Sequence, residues 1–262
     1  ARVIAARVAL KLSPDTDVAF GFAESATGLV GQLQGQSRPA FLIARSAIGD
    51  TGFYTTSDTS LAVRRQVGSW GLTLSAESGE ALLSQFRIEN GVQERQREQR
   101  PVRSISFAVD RRLGSLETAL SATVMQEDET ILGAFFHEAF GGAGADTMFL
   151  DANLAYSPAA NWRVGGAFRQ GFTRAKQAGL VASGSDFQSQ AWSFDVSRRN
   201  IIGAGDTLGF RLSQPLRVVN GGLTLNLPIA YDYSTESAIF GDRFLTLAPD
   251  GREIMGELAW SG

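Results

Sequence analysis

The chain has 262 residues, 44% of them apolar, with 29 glycines, 7 prolines, no cysteine and a formal net charge of −3. The acidic balance excludes a general nucleic-acid binder, which carries a basic face. The missing cysteine excludes a disulfide framework or a thiolate metal site, and no apolar run approaches the ~18 residues of a transmembrane helix. The chain starts at Ala1 without an initiator Met or a signal-peptide pattern, which reads as a processed product or a fragment.

Apolar residues then recur at every second position, segment after segment. Ile4, Ala6, Val8, Leu10 and Leu12 come first, followed by Val18, Phe20 and Phe22. Trp70 to Ala76 alternates with Thr73, Ser75 and Glu77, and further runs start at Ile105 and Leu116. Met148 to Tyr156 is opposed by Asp151 and Asn153, and Trp162 to Phe168 by Arg163 and Arg169. Trp192 to Val196 is opposed by Asp195, and Leu208 to Leu212 by Arg211. Leu223 to Tyr231 and Ile254 to Trp260 complete the series, the last against Glu253 and Glu257. A period of two means β-strands with one apolar and one polar face.

Turn signals separate the runs. Gly68-Ser69 reads as a hairpin turn, Leu113-Gly114-Ser115 as a three-residue turn, and Ala248-Pro249-Asp250-Gly251 as a β-turn. Three links are longer and polar: 80–103, 127–145 and 174–187. Residues 25–36 read as a short helix or a loop folded inward, and 128–144 is closer to helical spacing than to alternation.

Soluble sandwiches alternate too. Two further features favour a membrane: many runs have the ~9–11 residues that a tilted strand needs to cross a bilayer, and aromatic residues sit at strand ends. The expected fold is all-β, a single closed antiparallel meander transmembrane β-barrel of about 12–14 strands over residues 1–262. A large soluble sandwich is the alternative. In the barrel, Arg163, Arg169, Asp195, Arg211 and Glu257 line the lumen. Phe168, Leu208, Phe210, Leu225 and Leu227 face lipid, and Trp70, Tyr156, Trp162, Tyr231 and Trp260 form aromatic girdles.

Several separated strings, in order, carry a family resemblance: Arg38 to Ala44, Ser69 to Gly79, Asn161 to Gly171, Leu208 to Arg217 and Leu247 to Glu253. From about Arg38 to the end, the chain resembles the C-terminal autotransporter-like β-domain of exported subtilisin-like (S8 family) serine peptidases of Gram-negative bacteria. The resemblance implies a bacterial outer-membrane barrel that anchors and helps export a protease lying upstream of Ala1. It implies as partners the outer-membrane lipid, that passenger in cis, and the barrel assembly machinery. The rival function is an outer-membrane porin or a scaffold barrel binding another protein. Barrels of this kind end in an aromatic residue, whereas this chain ends Trp260-Ser261-Gly262, so the last strand is unusual or one hairpin is missing.

No catalytic constellation is legible, and no cofactor or metal is expected. The single histidine, His137, sits beside Glu138 in an expected loop and reads as structural or solvated; hydrolytic chemistry would need a nucleophile held by such a base. Glu127-Asp128-Glu129 reads as a solvated acidic loop before a cation site, 94–100 as a wet loop of mixed sign, and 141–144 as a turn.

Overall fold

The computed structural model describes residues 5–35, 41–89, 92–135, 142–201 and 203–261, with the backbone alone for 84–89 and 92–97. The elements are β1 (Ala6–Ser13), β2 (Thr16–Phe22), α1 (Ala26–Leu33), β3 (Thr55–Val67), β4 (Trp70–Glu89), β5 (Val92–Leu113) and β6 (Leu116–Glu127). They continue as β7 (Thr130–Ile131), β8 (Ala134–Phe135), β9 (Ala145–Ala159), β10 (Trp162–Ala175), β11 (Asp186–Arg199), β12 (Thr207–Asp232), β13 (Ser237–Thr246) and β14 (Met255–Ser261). Alternation dictates these strands, and the turns between them do what the sequence requires. Gly68 and Gly114 open two-residue Gly-Ser turns at φ +61° and +60°, a conformation that glycine reaches without a Cβ penalty.

One twelve-stranded sheet runs β1-β2-β3-β4-β5-β6-β9-β10-β11-β12-β13, every pairing antiparallel, with β14 also on β12. β13 pairs with residues 222–232 of β12 and β14 with residues 207–213, so the two share one lane. Neighbouring lanes alternate in direction, which leaves the edge strands β1 and β14 running the same way. No pairing joins these edges among the described residues. The expected closure is therefore not shown; over the described residues the sheet is an open meander.

Three expectations for the connections change. Of residues 80–103, expected as a polar link, 80–89 and 92–103 continue β4 and β5 as paired strands, which run on beyond the last β3 partner at Ala81 and the last β6 partner at Val102. The mixed-sign stretch 94–100 thus lies on β5, paired residue for residue with 81–87 of β4. The stretch 128–144 forms no helix in its described part; β7 and β8 make a short hairpin there. The runs at Leu208 and Leu223 belong to one strand, β12, and two strands without clear alternation, β3 and β13, complete the sheet.

The two faces are inverted relative to a soluble sheet. The covered face carries Ser60, Thr73, Ser75, Asp151, Thr173, Ser193, Asp195, Arg211 and Ser213. The open face carries Leu74, Ile105, Phe107, Leu120, Val124, Leu154 and Leu258, all largely exposed. In water an antiparallel sheet does the reverse, packing its apolar face and solvating its polar one.

Candidate functional site

The polar face is covered by the chain itself. Leaving β2, residues 23–35 and 41–54 lie across it before β3 begins. Ser25 caps α1, its hydroxyl accepting the Gly28 N–H at 3.1 Å, and Gly35 follows the helix at φ +63°, where a C-terminal stop favours glycine. Leu29 is fully buried between Ala19 of β2 and Ala62 of β3. The Ala26 N–H, an orphan donor of the first turn, donates to the Glu77 carboxylate on β4 at 2.9 Å; the Ser57 hydroxyl donates to the same group.

Beyond the helix, residues 41–54 are clasped by β9 to β12 and β14. The Glu257 carboxylate of β14 accepts three successive N–H groups, from Leu42 (2.8 Å), Ile43 (2.8 Å) and Ala44 (2.7 Å). Arg211 of β12 lies over the Phe41 ring at 4.3 Å, donates to the Ala44 carbonyl at 3.3 Å, and pairs with Asp195 at 2.8 Å. Gly209 makes room for Phe41, since a Cβ there would stand 2.9 Å from the ring. Arg163 also reaches Asp195, at 3.3 Å. The Ala47 N–H donates to the Ser193 hydroxyl at 3.2 Å. Arg169 of β10 is 4% exposed; it grips Asp151 with two bonds of 2.6 and 2.9 Å and donates to the Asp50 carbonyl at 2.7 Å. Asp50 in turn accepts the Leu216 N–H at 2.8 Å. That donor lies where the β11–β12 register slips, so the slip frees a backbone group and the crossing segment satisfies it.

Charged pairs this deeply covered are held by geometry: a planar guanidinium meets a carboxylate with two parallel bonds. The other half of the polar face differs. From β4 to β6 it shows Ser75, Ser104, Ser106, Ser121 and Thr123, too short to reach the crossing segment.

All five residues expected on the polar parity sit on the covered side: Arg163, Arg169, Asp195 and Arg211 in the clasp, Glu257 beneath residues 42–44. Phe168 and Phe210 are exposed on the opposite face at 43% and 46%, and Leu208 shares their parity. Leu225 and Leu227 require a correction. Both lie on the same strand as Arg211 and an even number of residues from it, and the two one-residue slips along β11–β12 cancel in parity, so Leu223 is buried with Phe187 and Leu225 packs beside Val181, on the side of the covered face; Leu227 follows the same parity. Trp70, Tyr156, Trp162 and Trp260 lie at the rim of short turns, and Tyr231 at the other rim. Trp70 and Trp162 each stack under an arginine from the next strand, Arg111 at 4.8 Å and Arg198 at 5.2 Å.

Within the acidic cluster Asp128 and Glu129 are exposed, as the solvated reading expected, but Glu127 departs from it. Glu127 is fully buried beyond the exposed apolar band, which ends on β6 at Val124. It accepts the Thr130 hydroxyl at 2.7 Å and the N–H groups of Leu132 and Gly133 at 2.9 and 2.8 Å. Burial pushes its carboxyl up, with these donors and Lys176 pulling the other way. Glu129 pairs instead with Arg100 at 2.8 Å. No group of three or more acidic or histidine side chains could hold a metal among the described residues. His137, Glu138 and Gly141 lie outside the described residues.

Asp50, Asp151, Phe41 and Ser193 are the members of the clasp that parity reading left unassigned. Asp151 was visible as a polar-parity residue of its strand, but nothing local marks a loop residue such as Asp50 as its neighbour.

An antiparallel meander with a covered polar face and an exposed apolar one defines the class: the fold of outer-membrane β-barrel proteins. Solved structures agree. In vitro folded OmpT, an outer-membrane protein of Vibrio cholerae, superposes with a TM-score of 0.54 at 6% identity over 98% of this chain and 63% of that one. Its loop-L8 deletion variant gives 0.53 at 6% identity over 84% of this chain and 59% of that one. Outer-membrane-expressed OmpT gives 0.51 at 7% identity over 99% of this chain and 80% of that one. This chain thus spans about three fifths of the length of the first two (59% and 63%). No protein-family model matches the sequence, and no curated protein sequence matches it.

Proposed function

We propose that the chain forms a closed barrel in the bacterial outer membrane, narrowed by its own residues 23–35 and 41–54, and serves there as the anchor and translocator of an exported domain. The observation that carries this reading is the inverted sheet: a face bearing Phe168, Phe210, Leu120 and Ile105 is exposed, while the face bearing Arg169, Asp195 and Arg211 is covered. A lipid environment makes that arrangement favourable, because arginine on the lipid face near the midplane costs about 2–4 kcal/mol. Closure follows from the same reading: an open edge in hydrocarbon leaves each N–H and C=O unsatisfied.

The anchoring role rests on the clasp, since a segment bonded from α1 to Asp50 suits a pore kept narrow more than a wide diffusion channel. The separated strings that resemble the S8-type autotransporter domain support a subtilisin-like passenger before Ala1, with the chain itself non-catalytic. Outer-membrane lipid and the assembly machinery for such barrels are its partners in this reading.

The test is expression in Gram-negative cells behind a signal peptide, with a small folded reporter joined before Ala1. The expected result is a heat-modifiable band in the outer-membrane fraction and a reporter accessible to external protease. A reporter retained in the periplasm beside an assembled barrel would favour the porin or scaffold function. A chain recovered in the soluble fraction would sink the barrel.

A further inference from the structure

The open face ends differently at its two rims. At the short-turn rim the charged strand residues of its parity are all arginine: Arg65 opposite Leu72, Arg111 opposite Trp70 and Arg198 opposite Trp162. Arg65 and Arg198 are exposed; Arg111 is half-buried and also borders an inner cavity. At the opposite rim the same parity carries both signs. Asp146 and Asp186 stand there beside Arg174, which bonds Asp186 at 3.0 Å, and Lys176 bonds Asp146 at 3.3 Å.

The three arginines of the short-turn rim have no such partner. Among the described residues none of their guanidinium groups meets a carboxylate or another acceptor, and Asp15 of the β1–β2 turn pairs with none of them. Two are fixed by stacking instead, Arg111 on Trp70 at 4.8 Å and Arg198 on Trp162 at 5.2 Å. Stacking uses the flat face of a guanidinium and leaves the N–H donors in its plane for another acceptor. A tryptophan ring favours the boundary between hydrocarbon and headgroups. An arginine stacked on it therefore stands near the level of the lipid phosphates, and a phosphate accepts two parallel bonds from one guanidinium. A row of one sign also attracts an anionic surface, which a row of paired charges does not.

We infer that the short-turn rim is a binding surface for anionic phospholipid headgroups, whose phosphates are held by Arg65, Arg111 and Arg198 beside Trp70 and Trp162. The inference rests on the barrel reading and adds to it the headgroup chemistry met by one rim.

The experiment uses the full chain refolded into phosphatidylcholine vesicles, with insertion first checked by heat-modifiable migration. A fixed small fraction of the lipid is then replaced by phosphatidylglycerol or phosphatidylcholine with brominated acyl chains, which quench tryptophan beside them. The brominated phosphatidylglycerol is expected to quench more, with an enrichment beside the protein of about fivefold, the size that one arginine near an anionic surface confers. Joint substitution Arg65→Gln, Arg111→Gln and Arg198→Gln should level the two lipids, and Arg198→Gln alone should lower the difference. Arg174→Gln, at the opposite rim, should leave it unchanged. Inorganic phosphate should reduce it no more than chloride at equal ionic strength. Equal quenching of the inserted protein by both lipids would overturn the headgroup site alone. So would a difference that survives the joint substitution, or, where that variant does not insert, one that survives Arg198→Gln. Displacement by phosphate beyond that by chloride would assign the arginines to a free anion and overturn the lipid site. Failure of the unaltered chain to insert would overturn the barrel reading and the site with it.

Discussion

The two halves of the covered face do opposite things with the same alternation. From β9 to β12 and on β14, the covered parity carries Arg163, Arg169, Asp151, Asp195, Arg211 and Glu257; Arg169, Arg211 and Glu257 reach across to residues 42–50, with Asp151, Asp195 and Arg163 paired behind them. From β4 to β6, between Glu77, which holds the Ala26 N–H, and the ion pairs of Asp110 and Glu117 near the short-turn rim, it carries serine, threonine and alanine, and a gap remains. The difference is one of reach. An arginine fork spans from the wall to a backbone carbonyl while keeping a carboxylate on its other edge; a serine hydroxyl ends close to its own strand. Polar residues inside such a sheet are therefore of two kinds, those that hold an inner segment and those that leave room beside it.

This contrast can be broken first at its strongest point. Arg169→Ala leaves Asp151 covered and without its main partner, and frees the Asp50 carbonyl; breaking a buried pair in this way costs about 3–5 kcal/mol. The midpoint of denaturant unfolding, followed by loss of the heat-modifiable band, should fall accordingly. An unchanged midpoint would mean that the clasp contributes nothing. Next in size, Phe168→Arg puts a charge on the open face and should lower assembly by about 2–4 kcal/mol if lipid meets that face. In a soluble sheet the same change would be tolerated, and purification without detergent would reveal it.

On the gap side the expected effects are smaller. Ser106→Ala removes the 3.0 Å bond from Thr123 and should cost about 0.5–1.5 kcal/mol. A loss as large as that of Arg169→Ala would erase the distinction between the halves. The smallest effect concerns Glu127 at the rim. Its carboxyl is raised by burial, so its contribution to stability is greatest below the unfolded carboxylate range and is lost as pH rises through the folded value. Hydrogen-exchange protection at residues 130–135, corrected for intrinsic rates, should be higher in mild acid than in mild base. Glu127→Gln should abolish that dependence; a pH trend that survives the substitution would assign it to another group.

Much of this was legible in the chain. Alternation at Met148 to Tyr156, Trp162 to Phe168 and Trp192 to Val196 located β9 to β11, and it put Arg163, Arg169 and Asp195 on one face. Strands with weaker alternation escaped. β3 shows little more than Leu61 and Val63, and β13 pairs adjacent apolar residues, Ile239 with Phe240 and Phe244 with Leu245. The long β4–β5 hairpin was masked by its charged composition.

Sequence by itself determined the antiparallel meander and the chemistry of each strand face, because side-chain direction in a strand has a period of two and needs no knowledge of neighbours. It could not determine which runs join into one strand. Leu225 and Leu227 fell on the other side because they continue the strand of Arg211 at its parity: the two one-residue slips of β12 against β11 cancel, and side-chain direction has a period of two. Nor could it determine what covers the polar face. The bonds from Glu257 to residues 42–44 and from Arg169 to Asp50 join positions far apart in the chain, and only the folded sheet brings them within hydrogen-bonding distance.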